Sequence, residues 1–172
     1  MKSFNELLSY TRDLYAALEK PDKALKHARE LVDMAPDNYE VLNLLAAILY
    51  ELDEDDEAFV YYNLASKIEP NSIEALEGLM SIANDNNDFT QALKLADRAI
   101  KAENNDPYLE FIENHEYHQR LMAQVYIEKG YALYKLGEIR KAKEVMLTDG
   151  VKACPLEEES LHEEWHLILE ED

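Results

Sequence analysis

The sequence predicts an all-α protein in which helix pairs stack as a solenoid. Apolar residues recur at helical spacing along almost the whole 172-residue chain, and only four glycines and five prolines interrupt it. The chain also resembles itself at a fixed step of 34 residues. Pro36 and Pro70 keep that step, as do Ala24, Ala58 and Ala92, Leu8, Leu42 and Leu76, and Leu14, Ile48 and Ile82. A period of this length marks a supersecondary unit that cannot bury its own apolar face and has to stack on its neighbours.

The units follow in order along a single domain. Residues 5–38 form the first. In the second, 39–72, a helix YEVLNLLAAILYEL stops at the charged turn DEDD, and a second helix EAFVYYNLASKIE stops at Pro70. Pro70, Asn71 and Ser72 then cap the next helix, because a proline ends one helix and a serine side chain accepts from the first free amides of another. Ala46, Ala58 and Ala65 are placed at close helix contacts, where a larger side chain would force the stack apart. The third unit covers 73–106. Residues 107–122 are an insertion that begins with Asp106 as cap and Pro107 as first helical residue. Tyr108, Phe111, Ile112, His115, Met122 and Val125 continue one stripe, so 107–136 read as one helix of about 29 residues and ~43 Å, or as two helices broken near Asn114. The fourth unit, 123–155, has one residue more than the period requires before Pro155, which predicts an irregular end to its second helix. Residues 156–172 form a last helix whose seam is Leu161, Trp165 and Ile168, suited to closing the end of a stack.

Leu42, Leu45, Ala46, Leu49, Ala58, Tyr62, Ala65 and Pro70 reproduce in order the W-x2-L-G-x2-Y, A-x3-F-x2-A, Pro pattern. The chain therefore resembles the tetratricopeptide repeat (TPR) family. The stretch GYALYKLGEIRKA repeats the match, with Gly130, Gly137 and Ala142 at the family's small positions. The first unit departs from the pattern at Thr11 and Arg12, and the third ends in Asn104 rather than proline. The resemblance implies a right-handed α-solenoid of about four TPR pairs with a C-terminal capping helix, and a concave groove lined by the first helix of each pair.

Chemistry-bearing motifs are few. Residues 162–166, HEEWH, have the spacing of a zinc-protease helix, in which two histidines four apart grip Zn²⁺ and the glutamate acts as base. The turn glycine expected three residues on is Leu169, the sixth residue on is Asp172, and no chain follows to build a cleft. His162 and His166 are better read as flanking the capping-helix seam. A zinc hydrolase is the least favoured reading, and weak metal binding by the two histidines stays open. His115 and His118 lack a third donor. ELDEDDE at 51–57 has Ala58 and Leu64 where a calcium loop needs its glycine and bidentate glutamate. Cys154 is the only cysteine, so no intramolecular disulfide forms. No phosphate loop or nucleophile setting is present, and no cofactor is expected.

Charge narrows the partners. Thirty-seven acidic residues against seventeen basic give a net charge of -20, which disfavours nucleic acid and anionic membranes. The polar N-terminus and the absence of a long apolar run predict a cytoplasmic protein. Helical phase places Glu6, Ser9, Asp13 and Ala16 on the groove stripe of the first unit and Glu40, Asn43, Ala47 and Tyr50 on that of the second. Glu74, Glu77, Ser81 and Asn84 follow in the third, and Gln124, Ile127, Tyr131 and Tyr134 in the fourth. The expected activity is that of a non-enzymatic protein–protein adaptor, holding a basic or mixed-charge segment of a partner with Tyr50, Tyr131 and Tyr134 as anchors. A small acidic chaperone of the type III secretion class is the alternative, which the resemblance also allows. TPR clamps for acidic chaperone tails use Lys, Arg and Asn where this chain has Ser9, Asp13, Leu44, Glu74 and Gly78, so that activity is not expected. Oligomeric state is undetermined by the sequence.

Overall fold

A computed structural model describes residues 3–16, 21–105, 115–147 and 168. Among the described residues there are eight α-helices and no strand: α1 (Phe4–Ala16), α2 (Pro21–Met34), α3 (Tyr39–Tyr50), α4 (Asp55–Ile68), α5 (Ile73–Asp85), α6 (Phe89–Ala102), α7 (His115–Lys135) and α8 (Ile139–Met146). A single 3-10 turn, Glu103–Asn105, follows α6. The expected single domain divides into two compact units, Met1–Pro70 and Asn71–Asp172, at the proline that separates the second helix pair from the third.

Local chemistry accounts for the helix boundaries. Ser3 and Glu6 form a reciprocal cap on α1: the Ser3 amide donates to Glu6 Oε2 at 2.7 Å and the Glu6 amide donates to Ser3 Oγ. Asn38 accepts from the Val41 amide at the start of α3, Ser72 from Ala75 at α5, and Asp88 from Gln91 at α6. The turns inside three of the pairs share one geometry. Asp53, Asn87 and Gly137 adopt the left-handed region with φ of 59°, 59° and 79°. The amide of the next residue then donates to the carbonyl five positions back, Glu54 to Leu49, Asp88 to Ala83 and Glu138 to Leu133. Asp, Asn and Gly are the residues that tolerate this backbone. Asp53 and Asn87 keep the 34-residue period, and Gly137 lies 50 beyond Asn87, a shift that the 16-residue insertion explains.

In the first unit α3 is buried along nearly its whole length, with Leu45, Ala46, Ile48 and Leu49 inaccessible to solvent. Leu7, Leu31 and Val41 cluster beneath Phe4, Leu8 and Val32 and join α1, α2 and α3. Ala24, Ala28, Ala58 and Ala65 are fully buried on the second helices, where their small size lets the backbones approach. Cross-helix ion pairs tie the rim, Arg12 to Glu40 at 3.0 Å and Arg29 to Glu57 at 2.8 Å.

In the second unit Ala92, Ala96, Ala99 and Ala142 occupy the equivalent buried positions. Helix α7 runs unbroken from His115 through Lys135, so the second half of the insertion and the first helix of the fourth pair are one element. Whether this helix reaches back to Pro107 lies outside the described residues, as does the end of the fourth pair beyond Leu147. Of the segment expected to cap the stack, Ile168 is described: it is helical and fully buried against Ile127, Leu133, Ala142 and Met146.

Candidate functional site

The first helices of the pairs carry the residues expected to bind a partner, and the two units present them separately. In the first unit Ser9, Asp13 and Ala16 of α1 are exposed, and Ala47 and Tyr50 of α3 are half-buried. Three expected positions have structural duties. Glu6 belongs to the α1 cap, Glu40 is paired with Arg12, and Asn43 is completely buried within α3.

The second unit assembles a more developed constellation between α5 and α7. Near the start of α7 the Tyr117 hydroxyl donates to Glu74 Oε1 at 3.2 Å. Further along, Ser81 Oγ lies 3.2 Å from Glu77 Oε1 and 3.4 Å from Glu128 Oε1, so its single proton serves one of the two carboxylates at a time. Asn84 Nδ2 donates to both the carboxylate and the backbone carbonyl of Glu128, and Gln124 Nε2 donates to Glu128 Oε1 at 3.3 Å. Glu74, Glu77, Ser81, Asn84 and Gln124 therefore share one face. Glu128, the residue on which most of these bonds converge, escaped the sequence reading. It occupies the same place in its repeat as Leu44 and Gly78, and its spacing of four from Gln124 on a helix was the available signal.

The remaining expected positions on α7 face elsewhere. Ile127 is in the core, packed with Leu133, Ala142 and Met146, because helical phase turns it toward α8. Tyr134 packs against that same cluster. Tyr131 lies edge-on to Phe89 at the start of α6, their centroids 6.1 Å apart, with Lys135 Nζ 4.9 Å above its ring.

Burial pushes the Glu128 carboxyl above its ordinary value and the charge of Asp85 adds to that shift, while the Asn84, Gln124 and Ser81 donors oppose it. The native state therefore holds this proton more tightly than the unfolded chain does. The contribution of Glu128 to stability is complete below the unfolded value near 4.5 and is lost as pH rises through the raised native value. Glu128→Gln, which removes the charge, is expected to raise the melting temperature at pH 7, with the gain vanishing near pH 4. The buried Asn84 Oδ1 has no hydrogen-bond partner and could accept from the new amide after a small rotation. Thermal melts at the two pH values check this, and an equal gain at both would contradict it.

Among the described residues no group of three His, Cys, Asp or Glu could hold a metal ion. The HEEWH stretch lies outside them. His118 is buried, and nothing is described of the His115 side chain. No described helix is long and apolar enough to cross a membrane.

Tetratricopeptide-repeat family models match residues 15–81 and 123–148, together more than half of the chain. The chain belongs to the tetratricopeptide repeat family. Solved TPR structures share its architecture, an all-α helical-repeat solenoid. PilF of Pseudomonas aeruginosa superposes with a TM-score of 0.71 at 14% identity, covering 98% of this chain and 70% of that one. MamA from Desulfovibrio magneticus RS-1 gives 0.68 at 18% identity, over 96% and 82%. The TPR2B domain of yeast Sti1, solved in complex with pHsp70, gives 0.55 at 19% identity, over 71% and 94%. At these identities the likeness is one of fold. No curated protein sequence matches the chain.

Proposed function

We propose that this TPR protein is a non-enzymatic adaptor that binds a basic or mixed-charge segment of a partner protein through the first helices of its repeats. The α5/α7 face supports this reading most directly. It gathers Glu74, Glu77 and Glu128 on two parallel stripes, and the bonds to Glu128 come from neutral amides and a hydroxyl. A carboxylate held by neutral donors and partly removed from water gains from a Lys or Arg brought by a ligand. Tyr131 beside Phe89 offers an aromatic edge for an apolar anchor, and Tyr50 serves the same purpose on α3. In the first unit Ser9, Asp13 and Ala47 form a separate candidate face on α1 and α3.

Asp13 on α1 and Glu74 on α5 each disfavour an acidic partner segment, because like charges repel it.

The partner is to be captured from native lysate at low salt and identified by mass spectrometry. Reversing Glu74 and Glu77 together to lysine is expected to weaken its binding roughly tenfold, since exposed charge pairs contribute ~0.2–1 kcal/mol each. Reversing Glu158 and Glu159, which changes net charge equally, is expected to have a small effect, and added salt to slow association with the unaltered protein. Equal losses for the two double variants, or an acidic partner segment, would remove the face from consideration.

A further inference from the structure

Helix α4 leaves an apolar stripe uncovered. Phe59, Val60, Leu64 and Ile68 are 47%, 51%, 41% and 43% exposed, whereas the other exposed large apolar side chains among the described residues are scattered singly over α1, α2, α7 and the ends of α7 and α8. Isolated exposed apolar residues are ordinary, but Val60, Leu64 and Ile68 recur at steps of four within about 80° of one another on a 14-residue helix and mark an interaction surface, with Phe59 about 100° from Val60 on the far flank. The opposite face, with Ala58, Tyr62 and Ala65, is buried in the protein's own core.

Charge along the stripe identifies its occupant. The first turn of α4 is acidic and its last turn carries Lys67. Asp56 and Lys67 are eleven residues apart, three helical turns, so they point within about 20° of one another and border the apolar stripe on its Val60 edge. Both are exposed, and neither makes an ion pair or side-chain hydrogen bond among the described residues, while neighbouring Glu57 is already bound to Arg29. A stripe that is apolar in the middle, negative at one end and positive at the other is complementary to itself when its direction is reversed.

We propose that α4 is a self-association surface on which a second copy of this chain packs antiparallel about a two-fold axis. Val60 of one copy lies against the partner subunit's Leu64, and Asp56 pairs with the partner subunit's Lys67 at both ends of the seam. The contact is isologous, so each substitution acts twice. One helix per subunit is a small interface, which makes the dimer weak and concentration-dependent. Each chain carries a net charge of -20, so the copies repel at long range and screening by salt favours their association. The proposed adaptor face has the opposite salt dependence, and neither proposal relies on the other.

Sedimentation equilibrium of the full chain, from about 5 to 500 µM and from about 0.05 to 0.5 M salt, tests this. The expected result is a reversible monomer–dimer equilibrium that strengthens with salt. Leu64→Glu, at an exposed position, is expected to leave a folded monomer throughout, with an unchanged circular dichroism spectrum. Lys67→Glu and Asp56→Lys are each expected to raise the dimer dissociation constant roughly tenfold, and the two together to return it to within about threefold of the original, because the double reversal restores both pairs. Any of four results overturns the proposal: a monomer at the highest concentration in high salt, a dimer that salt weakens, a dimer indifferent to Leu64→Glu, or a double reversal no better than the single ones. The first would leave a partner helix of different sequence as the occupant to be sought.

Discussion

Leu45→Ala is expected to cost about 2–5 kcal/mol of stability, the largest loss of any single substitution considered for this protein. Leu45 is inaccessible to solvent in α3, which packs against α1, α2 and α4, so truncation removes apolar contacts on several sides at once. Helices held on several sides cannot collapse into the space, and the residual cavity adds to the lost transfer free energy. Leu64→Ala is the control. That leucine is 41% exposed on α4, and its truncation is expected to change stability by less than about 0.5 kcal/mol. Urea unfolding followed by circular dichroism, at protein concentrations too low for self-association, compares the two. Losses of similar size would contradict the burial pattern of the first unit.

Gly130→Leu is expected to cost about 1–3 kcal/mol in the second unit, despite a helix propensity that favours leucine by a few tenths of a kcal/mol or more. A Cβ at Gly130 would stand 2.8 Å from both Cγ and Sδ of Met146. Met146 is fully buried among Ile127, Leu133, Ala142 and Ile168, so it has little freedom to retreat. Gly130→Ala is a closer contest, because the gain of about 1 kcal/mol from replacing a mid-helix glycine opposes the displacement of Met146. Thermal unfolding of Gly130→Leu alone and combined with Met146→Ala tests the cause. The double variant should lose less than the two single losses added together, and strict additivity would show that the contact is not the origin of the effect.

Much of the fold was legible in the chain because its signals are local. A serine or asparagine before an apolar run satisfies free amides wherever the helix is placed, and Asn38 and Ser72 do so here. Asp53, Asn87 and Gly137 carry the turn geometry in their own backbone preferences, so even the insertion could be measured from their spacing. The small residues Ala58 and Ala92 mark helix contacts because no larger side chain fits at that separation.

The candidate site was legible only in part, for a physical reason. Helical phase places Glu74, Glu77, Ser81 and Gln124 on a stripe, but it does not say which side chain on a neighbouring helix lies within 3.5 Å of them. Glu128 becomes the centre of the α5/α7 network only because the second unit brings α7 beside α5 in a particular rotation, which also turns Ile127 into the core and sets Tyr131 against Phe89. The same holds for Arg12, whose pairing with Glu40 depends on the separation of α1 and α3. Residue order by itself thus determined the helix pairs, their caps and their turns, since propensity and periodicity act within a few residues. The tertiary structure decided which carboxylates are partnered, which are desolvated and which apolar stripe on α4 is left exposed, because those depend on packing distances between helices far apart in sequence.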